Sequence, residues 1–232
     1  MSGGLTYTYP RNPAPAPRPG LSTSPQELLQ ISVAFGVLSL DFLLILYFGG
    51  AFYSGNGILH VIPLWEAIAT AAVASCTAFV AHEMAHKISA QRGGYWAEFR
   101  WFPMWLAMSV VTSYLGFLLA APGATMVGGM GSPKAWGKTS LAGPVTNLCF
   151  AGVFYAGSLG AWYAHDPLYF PLLVIAFFNG WFGAFNLLPF GPLDGAKVLR
   201  WSTATWVAAF AVAAVTAGFL YVALWSFVSP VL

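Results

Sequence analysis

Trp65-Glu66-Ala67-Ile68-Ala69-Thr70-Ala71-Ala72-Val73-Ala74-Ser75-Cys76-Thr77-Ala78-Phe79-Val80-Ala81-His82-Glu83-Met84-Ala85-His86 is apolar for most of its length and ends on three ionisable side chains. The run has about the 20 residues that a helix needs to cross a bilayer. At helical spacing His82 and His86 stand one turn apart on one face, with Glu83 rotated about 100° beside them. Two imidazoles so placed can converge on one metal ion next to a carboxylate able to act as a base, the H-E-x-x-H geometry of a zinc hydrolase. The bland alternative is a helix end carrying polar residues near the headgroups. Against it, an ionisable group inside a hydrophobic helix costs about 3 kcal/mol unless it is paired, metal-bound or facing water, so three together mark a functional site.

The rest of the chain is read in that light. Of its 232 residues 58% are hydrophobic and only 7% charged, against about a quarter charged in ordinary globular domains. The expected fold class is an all-α polytopic membrane protein, with no room for a soluble domain of ordinary size beside its spans. A net charge of +2 gives no reason to expect nucleic acid as a partner. The cysteines, Cys76 and Cys149, lie in apolar runs and behave as small hydrophobes; six residues before His82, Cys76 is on another helix face.

Residues 1–24 hold Pro10, Pro13, Pro15, Pro17 and Pro19 among small polar residues, a composition that cannot bury enough to fold, and a disordered tail is expected there. No apolar core follows a basic start, so no signal peptide is expected. Residues 25–232 then form a single membrane-embedded domain. Ser24-Pro25-Gln26-Glu27 reads as a helix start, with Ser at the cap, Pro at the first helical position and Glu three after the cap. The first span covers about Leu28 to Phe48 and carries Asp41, whose carboxyl in hydrocarbon is either functional or packed, protonated and hydrogen-bonded.

Beyond His86, residues 87–100 are polar and net basic. Residues 101–121 are apolar over a span's length but hold Pro103 and Gly116. If this segment crosses, the loop with Lys134 and Lys138 faces away from Lys87, Arg92 and Arg100. If it dips in and returns, every basic loop shares a side with Arg11 and Arg18, as the positive-inside rule favours. The re-entrant reading gives five full spans; the crossing reading gives six. Residues 122–139 are Gly-rich and irregular, unfit to face lipid. Spans follow at Leu141–Tyr163, Pro171–Leu188 and Thr203–Val228. The second of these carries Asn179, Gly183 and Asn186 on one face before Pro189, Gly191 and Pro192 break it.

A catalytic zinc site wants three protein ligands and an open position for water. The further carboxylates are Glu27, Asp41, Glu66, Glu98, Asp166 and Asp194. Glu98 sits among basic residues as a solvated loop and Asp166 falls on the far side. Asp194, on broken backbone at a span's inner end, is the best third ligand.

Three segments in order resemble one family. His82-Glu83-Met84-Ala85-His86, Gly143-Pro144-Val145-Thr146-Asn147 and Asn186-Leu187-Leu188-Pro189-Phe190-Gly191-Pro192-Leu193-Asp194-Gly195 look like the three-span core of the site-2 protease family of intramembrane zinc metalloproteases. The match covers about residues 65–200, and the compact form is similar to short prokaryotic, particularly archaeal, members without PDZ or CBS domains. The resemblance implies a three-helix zinc metalloprotease core with a re-entrant or β-like loop between its first two helices. It implies that His82, His86 and Asp194 bind one zinc ion per chain, that Glu83 is the catalytic carboxylate, and that Asn147 and Asn186 hold substrate backbone or an oxyanion. It also implies a multi-pass cell-membrane location with the active site near the cytoplasmic side. The long apolar segment 101–121 departs from many members, whose embedded loop is shorter.

The expected activity is hydrolysis of peptide bonds within or near the transmembrane segments of other membrane proteins, so the partners are a transmembrane substrate and the bilayer. The substrate must present its bond unwound, and an edge strand within residues 122–138 could pair with it by strand addition. Two other readings stay open. A zinc or iron transporter needs a relay of ligands through several spans, and outside the cluster the chain offers only Asp41, His60 and His165. An inactive relative acting as a binding module would be expected to lose a ligand or Glu83, and none is lost.

Overall fold

The computed structural model describes residues 21–48, 62–118 and 122–228. The tail expected at 1–24, apart from residues 21–24, and the loop carrying His60 lie outside the described residues. The elements in order are α1 (Pro25–Phe48), α2 (Leu64–Ser75), a wide π-helical turn (Cys76–Val80), α3 (Ala81–Arg92), β1 (Trp96–Trp101), α4 (Pro103–Tyr114), β2 (Gly123–Gly128), α5 (Pro133–Tyr163), α6 (Tyr169–Asn186), α7 (Asp194–Trp201) and α8 (Thr203–Val228). Among the described residues four helical stretches are long and apolar enough to cross a membrane: Pro25–Leu46, Leu64–Arg92, Tyr169–Asn186 and Thr203–Phe227. α5, with 31 residues, reaches about 46 Å at 1.5 Å per residue, but Lys134, Lys138, Pro144 and Asn147 dilute its apolar character. α6 is the central helix, 67% of its apolar stretch buried against 17% for α8, whose outward Val212, Val215, Phe219 and Val222 suit a lipid face.

α2, the wide turn and α3 form one continuous helix with two buried rows: Ala67, Ala71, Ser75, Phe79, Glu83 and Lys87, and Thr70, Ala74, Ala78, His82, His86 and Ala90. Each row recurs every four residues. A straight α-helix gains about 40° per four-residue step, so such rows would wind off the buried face. The turn, with Ala81 N–H reaching back to Cys76 C=O, takes up rotation by closing i→i+5. It delivers His82, Glu83 and His86 to the interior.

The segment 101–121 is not one long helix. α4 has twelve residues, about 18 Å, against a hydrocarbon core of roughly 30 Å. Pro103 opens it, Gly116 follows its end at φ 93°, and Phe102 N–H donates to Pro122 C=O at 2.9 Å. The chain therefore returns beside its point of entry. β1 and β2 pair antiparallel, from Trp96 opposite Gly128 to Trp101 opposite Gly123, and Ala97 and Phe99 point inward, fully buried.

α1 starts as its sequence suggests, with Glu27 N–H on Ser24 Oγ at 3.2 Å. The Glu27 carboxylate, however, is fully used elsewhere. Its Oε2 meets Lys87 Nζ at 2.6 Å, its Oε1 accepts Phe99 N–H at 3.0 Å, and both charged residues are buried. Further along α1, Asp41 is buried with no hydrogen bond of ordinary geometry to either oxygen, although Ser109 and Ser113 of α4 face it.

Candidate metal centre

α3 and α7 meet where His82, His86 and Asp194 come together. Each offers one ligand atom, and the three atoms lie within 4.8 Å of one another. His82 Nε2 is 3.3 Å and His86 Nε2 2.9 Å from Asp194 Oδ2, and the two Nε2 atoms are 2.9 Å apart. All three residues are buried. Among the described residues no other group of three His, Cys, Asp or Glu side chains is so placed.

Asp194 reaches the site because α6 ends at Asn186 and the chain turns back. Gly195 is pressed against the Leu187 and Leu188 carbonyls, where a Cβ would collide with backbone, and Trp206 Nε1–H donates to Leu187 C=O at 2.9 Å. Asp194 then opens α7, where the positive end of the helix favours an anion. Burial pushes its carboxyl up. His86 when protonated, and then Lys197, outweigh burial and hold the group well below the usual carboxylate range. Lys197 Nζ is 3.3 Å from Oδ1, the oxygen turned away from the histidines.

The far side of each imidazole is held by α5. His82 Nδ1 is 2.5 Å from Asn147 Oδ1 and His86 Nδ1 2.7 Å from Thr139 C=O. Both partners accept, so both Nδ1 atoms carry the hydrogen and both Nε2 lone pairs face the carboxylate. Three lone-pair-bearing atoms at this separation repel unless a proton or cation lies among them. Bonds of about 2.0–2.2 Å to one tetrahedral ion would set ligand atoms roughly 3.3 Å apart, so this donor set fits zinc. Thr139, Gly143 and Asn147 follow at four-residue spacing on one face of α5, and a Cβ at Gly143 would strike both Nε2 atoms. Glycine there keeps the space between the imidazoles and α5 open.

Glu83 is buried beside the two histidines, and its partner is β2. Thr125 N–H donates to Glu83 Oε2 at 2.9 Å, and Thr125 Oγ–H lies 2.8 Å from the same oxygen and 3.1 Å from the Glu83 carbonyl. Asn186 is half-buried at the end of α6, with Nδ2–H on its own helix's Phe182 C=O at 3.0 Å. Asn147 is fully buried, and both ends of its amide are engaged within the protein. Cys76 is exposed, away from the buried ligands. Thr125, Thr139 and Asn179 were not singled out for the site by the sequence. The four-residue spacing Thr139, Gly143, Asn147 is the signal that could have found the α5 face.

No protein-family model matches the chain, and no solved structure is significantly similar to it. Curated relatives are found. The protein named "Putative zinc metalloprotease MJ0611" of Methanocaldococcus jannaschii is 33% identical over 137 residues, 58% of this chain and 71% of that protein. "Putative zinc metalloprotease Rip3" of Mycobacterium tuberculosis is 34% identical over 139 residues, 59% of this chain; the match spans only 31% of that longer protein. With a third of positions identical over most of the archaeal protein's length, the chain belongs to the same zinc metalloprotease family as the Methanocaldococcus protein.

Proposed function

We propose that this chain is an intramembrane zinc endopeptidase of the site-2 protease kind, cutting transmembrane proteins within or near their spans. The observation that carries the reading is the convergence of His82 Nε2, His86 Nε2 and Asp194 Oδ2 beside Glu83, all buried in a chain built of membrane-length helices. The metalloprotease names of the relatives support the chemistry. In this reading residues 25–232 are one membrane domain, with the core at about 65–200. α5 is the fifth crossing, the β1–α4–β2 segment is re-entrant, and the site lies towards the cytoplasmic side of the cell membrane.

His82, His86 and Asp194 would hold one zinc, which when bound supplies Lewis acidity and a water of lowered pKa. Glu83 takes a proton from the attacking water as its oxygen bonds to the scissile carbonyl carbon. It then returns that proton to the amine nitrogen as the C–N bond breaks. The substrate enters as an extended strand beside β2, on the edge where Thr125 N–H meets Glu83. Asn186, half-buried at the end of α6, is read as the asparagine that meets it.

The test is cleavage of a model transmembrane substrate by purified protein in detergent, wild type beside Glu83→Gln, with zinc quantified in both. The expected result is one zinc per chain in each and a rate lower by about 10²–10⁴-fold in the variant. Chelation should abolish cleavage and re-addition of zinc restore it. Zinc-loaded wild type that cuts nothing, while proteoliposomes carry zinc across the bilayer, would establish a transporter instead.

A further inference from the structure

The metal ligands differ in how they are anchored. His86 leans on a backbone carbonyl, Thr139 C=O, but His82 leans on a side chain that could rotate. That side chain, Asn147, is itself locked. Its Nδ2–H donates to Ala78 C=O at 3.0 Å and towards Asn179 Oδ1 at 3.4 Å, so the remaining atom, turned to His82, must be the oxygen. Asn179 is locked in turn, with Nδ2–H on Ile175 C=O at 2.9 Å and on Thr77 Oγ at 2.8 Å, leaving its oxygen for Asn147. Thr77 ends the chain by donating to Val73 C=O at 2.9 Å. Each donor meets an acceptor in one direction only. Asn147 and Asn179 are both fully buried.

The far end of this chain sits on the wide turn. Thr77 and Ala78 belong to Cys76–Val80, where i→i+5 closure frees backbone carbonyls from the α pattern, and Ala78 C=O is one that Asn147 takes up. Gly183 allows the approach of α6, since a Cβ there would lie 3.1 Å from Asn147 Cβ. One amide therefore ties the turn that sets the phase of α3 to the tautomer of the first ligand on α3.

We propose that Asn147 is a positioning residue for His82, fixing the Nδ1–H tautomer and ring plane, and that Asn179 fixes the amide of Asn147 from α6. This assignment rests on the zinc reading above, and it gives Asn147 a role behind the ligand in place of one against the substrate. A partner of a ligand's distal nitrogen sets metal affinity, and its loss typically costs 10–100-fold.

The full-length chain in detergent, stripped of metal, is titrated with zinc against a chelator, and the visible absorption of its Co²⁺ form is recorded. Asn147→Ala should lose zinc affinity by about 10–100-fold and alter the Co²⁺ bands. Asn147→Asp keeps an acceptor at Nδ1 but sets its second oxygen against the oxygens of Ala78 and Asn179, so it should recover only part of the affinity lost in Asn147→Ala. Asn179→Ala, which touches neither ligand nor substrate, should lose several-fold, and it decides alone if Asn147→Ala is not monodisperse. The proposal is overturned if the alanine variants bind zinc like wild type with unchanged Co²⁺ bands, whether or not KM rises. A wild type that binds no zinc overturns the metalloprotease reading itself, a different outcome of the same titration.

Discussion

Along β1, the outward N–H of Phe99 donates to Glu27 Oε1 at 3.0 Å, that of Trp101 to Gln30 Oε1 at 3.3 Å, and the Ala97 carbonyl accepts from Gln91 Nε2 at 2.9 Å. Along β2, the outward N–H of Thr125 donates to Glu83. The first edge is closed by three side chains from α1 and α3, which occupy the positions a third strand would need. The second ends on the carboxylate proposed as the base. A two-stranded ribbon has two edges that could template an incoming peptide; among the described residues the edge beside the metal ligands is the one left to do so. Edge protection and the proposed edge function are divided between the strands, and α1 is the divider.

The strongest way to break that division is at Lys87. Its ammonium, buried, is held by Glu27 Oε2 and by Thr23 Oγ at 2.7 Å. Lys87→Ala leaves a buried carboxylate without its counter-charge, a loss of about 3–5 kcal/mol, which is a large part of a typical domain's stability. Thermal unfolding in detergent should show a fall of that size. The double variant Glu27→Leu with Lys87→Met should recover most of it, less the acceptor of Phe99 N–H. Unchanged stability in Lys87→Ala would mean that the pair does not hold the closed edge.

A sharper and smaller effect is expected on β2. Residues alternate between facing the partner strand and facing outward, and since Thr125 N–H points to Glu83, Val127 N–H shares its edge. The even-numbered Gly128, opposite Trp96, points into the ladder. Proline at Gly128 would thus damage the ribbon itself. Val127→Pro removes one outward donor alone and should lower kcat/KM by roughly three- to tenfold through KM, with zinc retained. Gln30→Ala frees Trp101 N–H on the other edge and should change the rate by less than about twofold while costing about 1 kcal/mol of stability. Equal kinetic effects from both would erase the distinction between the edges.

How much of this arrangement the sequence could reveal follows from which forces leave a mark on composition. α1, α6 and α8 are long apolar runs, and their bounds lie within a few residues of those read from hydropathy. His82, Glu83, His86 and Asp194 were legible because charge in an apolar chain has to be explained. The wide turn at Cys76–Val80 was not, since it is set by two four-residue rows that only burial reveals. Residues 101–121 have the composition of a span, although α4 takes only twelve of them, because an apolar segment reads the same whether it crosses or returns. Glu98 reads as solvated loop among basic residues. It lies on β1 with its carboxylate on Arg100, and the alternation Ala97, Phe99 was the available sign of a strand. Glu27 matches a capping pattern, and nothing local shows that its carboxylate reaches Lys87, 60 residues away.

The smallest effect concerns the hydroxyl of Thr125. If the substrate adds beside β2 as proposed, an incoming strand and Glu83 compete for Thr125 N–H, the donor that Glu83 holds in the resting chain. When the substrate takes the N–H, the hydroxyl, at 2.8 Å from Glu83 Oε2, is the group still able to hold the carboxylate in line with the metal ligands. It matters more in the complex than in the resting chain. Thr125→Val keeps the branched shape and the backbone donor and removes only this contact and the one to the Glu83 carbonyl. The loss of one net hydrogen bond corresponds to roughly three- to tenfold, and it should fall on kcat with KM unchanged, while Thr125→Ser restores the rate. A lower KM with kcat intact would place the hydroxyl in the resting state alone, as a latch that the substrate must open.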